Sequence, residues 1–129
     1  MKQVLLVGAG GFVGSIARYL LGGFILQQST SWRFPLSTFC VNVVGCFALG
    51  ALANLAEKQL LFSADTRLFL FTGLLGGFTT FSAFSAEGVN LIRRGDFAVA
   101  AMYAALSVGC GFAAVWAGMK LFTLGGRAE

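Results

Sequence analysis

Four long apolar runs divide the chain, each set off from the next by a short polar or charged connector. They extend over about Val4 to Leu26, Leu36 to Ala56, Arg67 to Ile92 and Phe97 to Phe122. Each supplies the roughly 20 helical residues that a hydrocarbon core of about 30 Å requires. The connectors are Gln27 to Pro35, Glu57 to Thr66 and Arg93 to Asp96. Pro35 suits the first turn of the second helix, where a missing N–H has no intrahelical partner to lose. Met1 and Lys2 followed by an apolar stretch superficially match a secretory signal. That stretch runs on to about Leu26, carries Arg18 and precedes three further spans, so it reads as the first membrane helix. The pattern predicts one all-α integral membrane domain over residues 1–129, with four transmembrane helices.

Composition strengthens this picture. Of 129 residues, 57% are hydrophobic and 11% charged, against about 25% charged in an ordinary soluble domain. The chain has no histidine, which removes the commonest general base and metal ligand, so an enzyme is not expected. No nucleic-acid partner is expected either. The three cysteines, Cys40, Cys46 and Cys110, lie inside apolar runs without the paired spacing of a zinc or redox site. They read as small core residues.

Loop charge should set orientation. Lys2, Lys58, Arg67, Lys120 and Arg127 fall on one side, Arg33, Arg93 and Arg94 on the other. Five against three is a weak bias. It permits insertion both ways and an antiparallel homodimer about an axis in the membrane plane, and it is equally compatible with one fixed topology. Four helices make a thin bundle, so a pathway through it calls for a second subunit. Gly10 with Gly14, and Gly73 with Gly77, are spaced four apart and let backbones approach closely.

The third run contains Gly73-Leu74-Leu75-Gly76-Gly77-Phe78-Thr79-Thr80-Phe81-Ser82-Ala83-Phe84-Ser85-Ala86-Glu87. Adjacent glycines followed by stiff threonines are poor helix. An interruption is expected near Gly76 to Thr80. Irregular backbone at membrane depth persists only where protein, water or an ion satisfies it. Carbonyls freed beside the negative end of a half-helix make a cation site. Two per chain, doubled by a twofold axis, give four oxygens, suited to a small hard cation such as sodium held structurally. Glycines used for close packing in an unbroken span are the alternative.

Phe81 and Phe84 lie three apart on one helical face, with Ser82 and Ser85 one position further round. Aromatic rings have positive edges that can meet an anion, and hydroxyls can replace part of its water shell. Asn42 offers an amide either to an anion or to an interhelical hydrogen bond. Tyr103, Ser107 and Gly111 form one narrow stripe on the last helix. Arg18 either draws anions toward a vestibule or pairs with Glu87 or a carbonyl.

These segments resemble the Fluc/CrcB family of small bacterial fluoride channels. The likeness covers nearly the whole chain: Gly10-Gly11-Phe12-Val13-Gly14 with Arg18-Tyr19, Thr38 to Gly45 around Asn42, and Gly73 to Glu87. Gly76 to Ser85 is close to a signature. The resemblance implies a dual-topology homodimer in the bacterial inner membrane, with two antiparallel pores, passive export of fluoride from the cytoplasm and a structural sodium ion at the dimer centre. It implies that the carbonyls of Gly76 and Thr79 hold the sodium. It also implies that Phe81, Phe84 and Asn42 line the fluoride path, and that Thr38, Thr80, Ser82, Tyr103 and Ser107 form a polar track. Some members of that family carry serine where Gly111 stands.

Fluoride is strongly hydrated, so a selective path needs compensating donors without a fixed cation to trap the ion. Ring edges, hydroxyls and amides meet that need, and no lysine lies mid-span. Two rival readings remain. A four-span exporter of the small multidrug type needs an intramembrane carboxylate, and the one acid near a span is Glu87, late in the third run. A structural subunit would use the glycines and aromatics for packing alone.

Overall fold

The structure, a computed structural model, describes residues 1–59 and 62–121; Phe122 and Arg127 lie outside them. The first helix is α1 (Lys2–Gln28) and the second α2 (Leu36–Gln59). The third span is composite. It opens with α3 (Ala64–Arg67), widens into a π-helical stretch (Leu68–Leu75), narrows into α4 (Gly76–Phe78), and resumes after a break as α5 (Phe81–Arg93). The fourth is α6 (Phe97–Leu121). Lys2–Gln28, Leu36–Glu57, Ala64–Arg93 and Phe97–Leu121 are long and apolar enough to cross a membrane. The molecule is an all-α, multi-pass membrane protein.

Helix ends follow local chemistry. Ser63 caps the third span by accepting from the Thr66 N–H at 3.2 Å, which starts the helix at Ala64 rather than at Arg67. Pro35 stands one place before the first turn of α2, not within it, and its carbonyl accepts the first helical bond from Phe39 at 3.2 Å. Gly95, at φ +81°, closes α5. Its N–H reaches the Ile92 carbonyl and the Asp96 N–H the Leu91 carbonyl, both at 3.0 Å, the paired bonds of a Schellman turn. That turn leads directly into α6.

Within the chain α1 packs on the third span and α2 on α6. The glycine pairs make this possible. A side chain at Gly10 would collide with the Phe69 carbonyl, and one at Gly14 with the Leu74 carbonyl. One at Gly77 would stand 2.6 Å from the Gly11 carbonyl. Gly50 and Gly118 play the same part between α2 and α6, against Val115 and Phe47. The expectation that Gly10, Gly14, Gly73 and Gly77 serve a second subunit is therefore corrected, because their small faces are consumed between α1 and the third span of one chain.

Ion pairs tie the two ends of the bundle: Lys2 to Asp65 at one, Arg33 to Asp96 at the other. The compact interior lies toward the second end. There Leu91, Ala100 and Tyr103 are buried among Phe34, Phe39, Phe84 and Val99.

Candidate functional site

The break falls on Thr79 and Thr80, narrower than the expected Gly76 to Thr80. Thr79 has φ −85°, ψ 160° and Thr80 φ −149°, ψ 117°, both extended, whereas Gly76 at φ −63°, ψ −37° is still helical. Gly77 stays in the helix, where it lies against Gly11 of α1, and the β-branched threonines take the extended conformation that suits them. The span is therefore interrupted, which excludes the unbroken alternative, although the close packing that alternative invoked is found at Gly77.

Three helices converge on the break. From α2, Asn42 pairs with the Thr80 peptide: Nδ2 donates to its carbonyl at 2.9 Å and Oδ1 accepts from its N–H at 2.8 Å. One N–H of the amide is left over. From α1, the Arg18 guanidinium donates to the Thr79 carbonyl at 3.4 Å. Thr80 caps α5, its hydroxyl accepting from the Ala83 N–H at 3.2 Å and lying 3.2 Å from the Ser82 hydroxyl. These bonds redirect two helical donors. In a continuous helix the Thr80 and Ala83 amides would bond the carbonyls of Gly76 and Thr79; here they go to Asn42 and to the Thr80 hydroxyl.

Phe81 and Phe84 stand side by side, ring centroids 5.6 Å apart, and Phe84 lies 5.0 Å from Tyr103. Tyr103 in turn meets Phe34 edge-on at 5.3 Å. This line of rings runs from the surface, where Phe81 is 78% exposed, to Tyr103, which is 1% exposed. Ser85 spends its hydroxyl on the Phe81 carbonyl at 3.0 Å.

Two cavities flank the break. The first, about 420 Å³, brings together Asn42, Gly76, Thr79, Thr80, Phe81, Phe84 and Ser107, with Cys46 among its walls. The second, about 520 Å³, brings Arg18 and Thr38 together beside Ser15, Ser37 and Tyr19. Thr80 lines both. Tyr103 and Ser82 line neither.

Glu87 is the residue that sequence reasoning left outside the site. Its carboxylate accepts from the Thr38 hydroxyl at 2.7 Å through one oxygen and from the Tyr103 hydroxyl at 2.7 Å through the other. Arg18 is committed to the Thr79 carbonyl, so of the partners weighed for it the carbonyl is the one found. Two of the polar-track residues are joined through an acid. The signal was present: Glu87 falls three residues after Phe84 and six after Phe81, so it returns to their side of α5.

A family model described as CrcB-like protein, Camphor Resistance (CrcB), matches residues 5–119. A protein of Methylobacillus flagellatus named fluoride-specific ion channel FluC is 50% identical over 121 residues, covering 94% of each chain. Proteins of the same name from Rhizobium etli and Chlorobium phaeobacteroides are each 46% identical. The match covers 94% of this chain and 96% of the first, and 92% of each for the second. Extending over all four spans and the break between them, these likenesses establish that the chain belongs to the CrcB-like family.

Proposed function

We propose that this chain is the subunit of a fluoride-selective channel that lets fluoride leave the cytoplasm passively across the bacterial inner membrane. One observation carries the reading. The cavity at the break brings Phe81 and Phe84 together with Asn42, Thr80 and Ser107, and its lining holds no lysine or arginine among the described residues. Such a surface replaces the hydration shell of a small anion without a fixed charge to trap it. The relatives named fluoride-specific ion channels support the same assignment.

The pathway is formed in an antiparallel homodimer of dual topology. A single copy leaves Ser15, at the middle of α1, exposed at membrane depth, where lipid cannot satisfy a hydroxyl. A second copy placed over Phe81 supplies what lipid lacks. Arg18 in the second cavity supplies positive potential at the approach, and the Thr38, Glu87 and Tyr103 chain orders the polar track behind Phe84.

The carbonyls of Gly76 and Thr79 fit a structural sodium ion. Both have lost their helical donors, and the Thr79 oxygen has a second lone pair beside its bond to Arg18. When bound there, a cation would supply a fixed positive charge to offset these carbonyls.

Hydrogen fluoride is neutral and enters cells, whereas the anion crosses lipid poorly. An anion leak driven by the membrane potential therefore lowers cytoplasmic fluoride. Expression in a bacterium made fluoride-sensitive by loss of its own fluoride export should restore growth in fluoride medium, and Phe81→Ile should abolish that protection. Protection undiminished by Phe81→Ile would overturn the pathway assignment.

A further inference from the structure

We propose that the Cys46 thiol is a fluoride-facing donor of this pathway, supplying the position at which the α6 stripe has none; the inference rests on the channel reading above. On α2, Asn42, Gly45, Cys46 and Leu49 all line the cavity at the break, the spacing of one helical face. Cys46 therefore stands one turn beyond Asn42, whose amide is largely occupied by the Thr80 peptide. Across the cavity α6 presents Ser107, the middle member of the stripe that Tyr103 and Gly111 continue at intervals of four on either side of it. Tyr103 spends its hydroxyl on Glu87. Gly111 has none.

Two observations single out Cys46 from the other thiols. Ser107 lines the same cavity as Cys46, and its hydroxyl oxygen is buried with no hydrogen-bond partner among the described residues. A buried hydroxyl left unpaired is destabilising unless a ligand or water completes it. Second, a Cβ built on Gly111 would lie 3.6 Å from the Cys46 sulfur and near nothing else. The sulfur thus stands at ordinary contact distance from the place that a side chain at Gly111 would take, one turn along α6 from the unpaired Ser107. Cys40 and Cys110 do not line the cavity. A thiol is a weaker donor than a hydroxyl, so an anion relayed from Ser107 meets a site that holds it loosely and releases it.

The test is fluoride efflux from liposomes containing the purified full chain, comparing Cys46→Ala, Cys46→Val, Cys46→Ser and the pair Cys46→Ala with Gly111→Ser. Alanine is smaller than cysteine and valine larger, and neither has an S–H, so a loss common to both separates donation from packing. Cys46→Ala and Cys46→Val should each slow efflux about three- to tenfold, the range one hydrogen bond commands. Cys46→Ser should stay at or above the wild-type rate. Gly111→Ser should recover efflux in the Cys46→Ala background, since the structure has room for its side chain. Wild-type rates in Cys46→Val, or a Cys46→Ser variant as slow as Cys46→Ala, would overturn the inference while leaving the channel reading intact. A wild-type chain that passes no fluoride would overturn both.

Discussion

Asn42 grips the Thr80 peptide by both ends of its carboxamide, donating at 2.9 Å and accepting at 2.8 Å, and so does for this residue what the next helical turn does elsewhere. A break at membrane depth is stable only when its polar groups are satisfied within the protein. Asn42→Ala leaves the Thr80 N–H and carbonyl unpaired, a loss of about 2 kcal/mol or more. Denaturation by SDS in detergent micelles should show that loss, together with slower fluoride efflux. Asn42→Asp retains the acceptor and loses the donor, and it places a carboxylate in the anion's path, so its efflux should fall further than its stability.

The contact between α1 and the third span predicts sharply position-dependent effects of adding a methyl group. Gly14→Ala drives a carbon into the Leu74 carbonyl, and Gly77→Ala into Gly11. Each should destabilise the fold by about 1–3 kcal/mol. Gly8→Ala, which meets nothing within 4 Å in the chain, should leave stability unchanged or slightly raised. Fluorescence-detected unfolding of the three variants in detergent gives the comparison.

Glu87 is held by two hydroxyls from two other helices. Tyr103→Phe and Thr38→Val each remove one donor, and each should cost about 1–3 kcal/mol. Because both bonds end on the same carboxylate, the double variant should lose more than the sum of the singles. Equal additivity in a double-mutant cycle would show that the carboxylate does not couple them.

Much of this was legible in the sequence, and the parts that were not have physical reasons. Length and hydropathy set four spans because a bilayer imposes one thickness on every helix. The pairing of Gly76-Gly77 with Thr79-Thr80 announced an irregularity, but glycine serves both breaks and close packing. Only the position of Gly11 opposite Gly77 shows which use prevails. The residues Asn42, Thr80, Phe81, Phe84 and Ser107 do meet at one cavity, whereas Arg18 and Thr38 belong to a second. Glu87 was left outside the site because a carboxylate near a helix end reads as an interfacial charge, and its two partners lie 49 and 16 residues away. The π-helical stretch from Leu68 to Leu75 has no signature in its apolar sequence.

The freed carbonyls of Gly76 and Thr79 predict a dependence on sodium. Purifying the protein with N-methylglucamine in place of sodium should lower the stability of the protein and the rate of fluoride efflux, and restoring sodium should recover both. Potassium, being larger, should restore them less. Indifference to the exchange in both readouts would remove the cation from the account.

The most direct test of the central claim is fluoride efflux from liposomes holding the purified protein, followed by a fluoride electrode, with a potassium ionophore to clamp charge and chloride-loaded vesicles as the comparison. The account predicts rapid loss of fluoride with chloride retained, and near-complete loss of that flux in Phe81→Ile. Fluoride retained by vesicles containing well-folded protein, or chloride released as fast as fluoride, would contradict it.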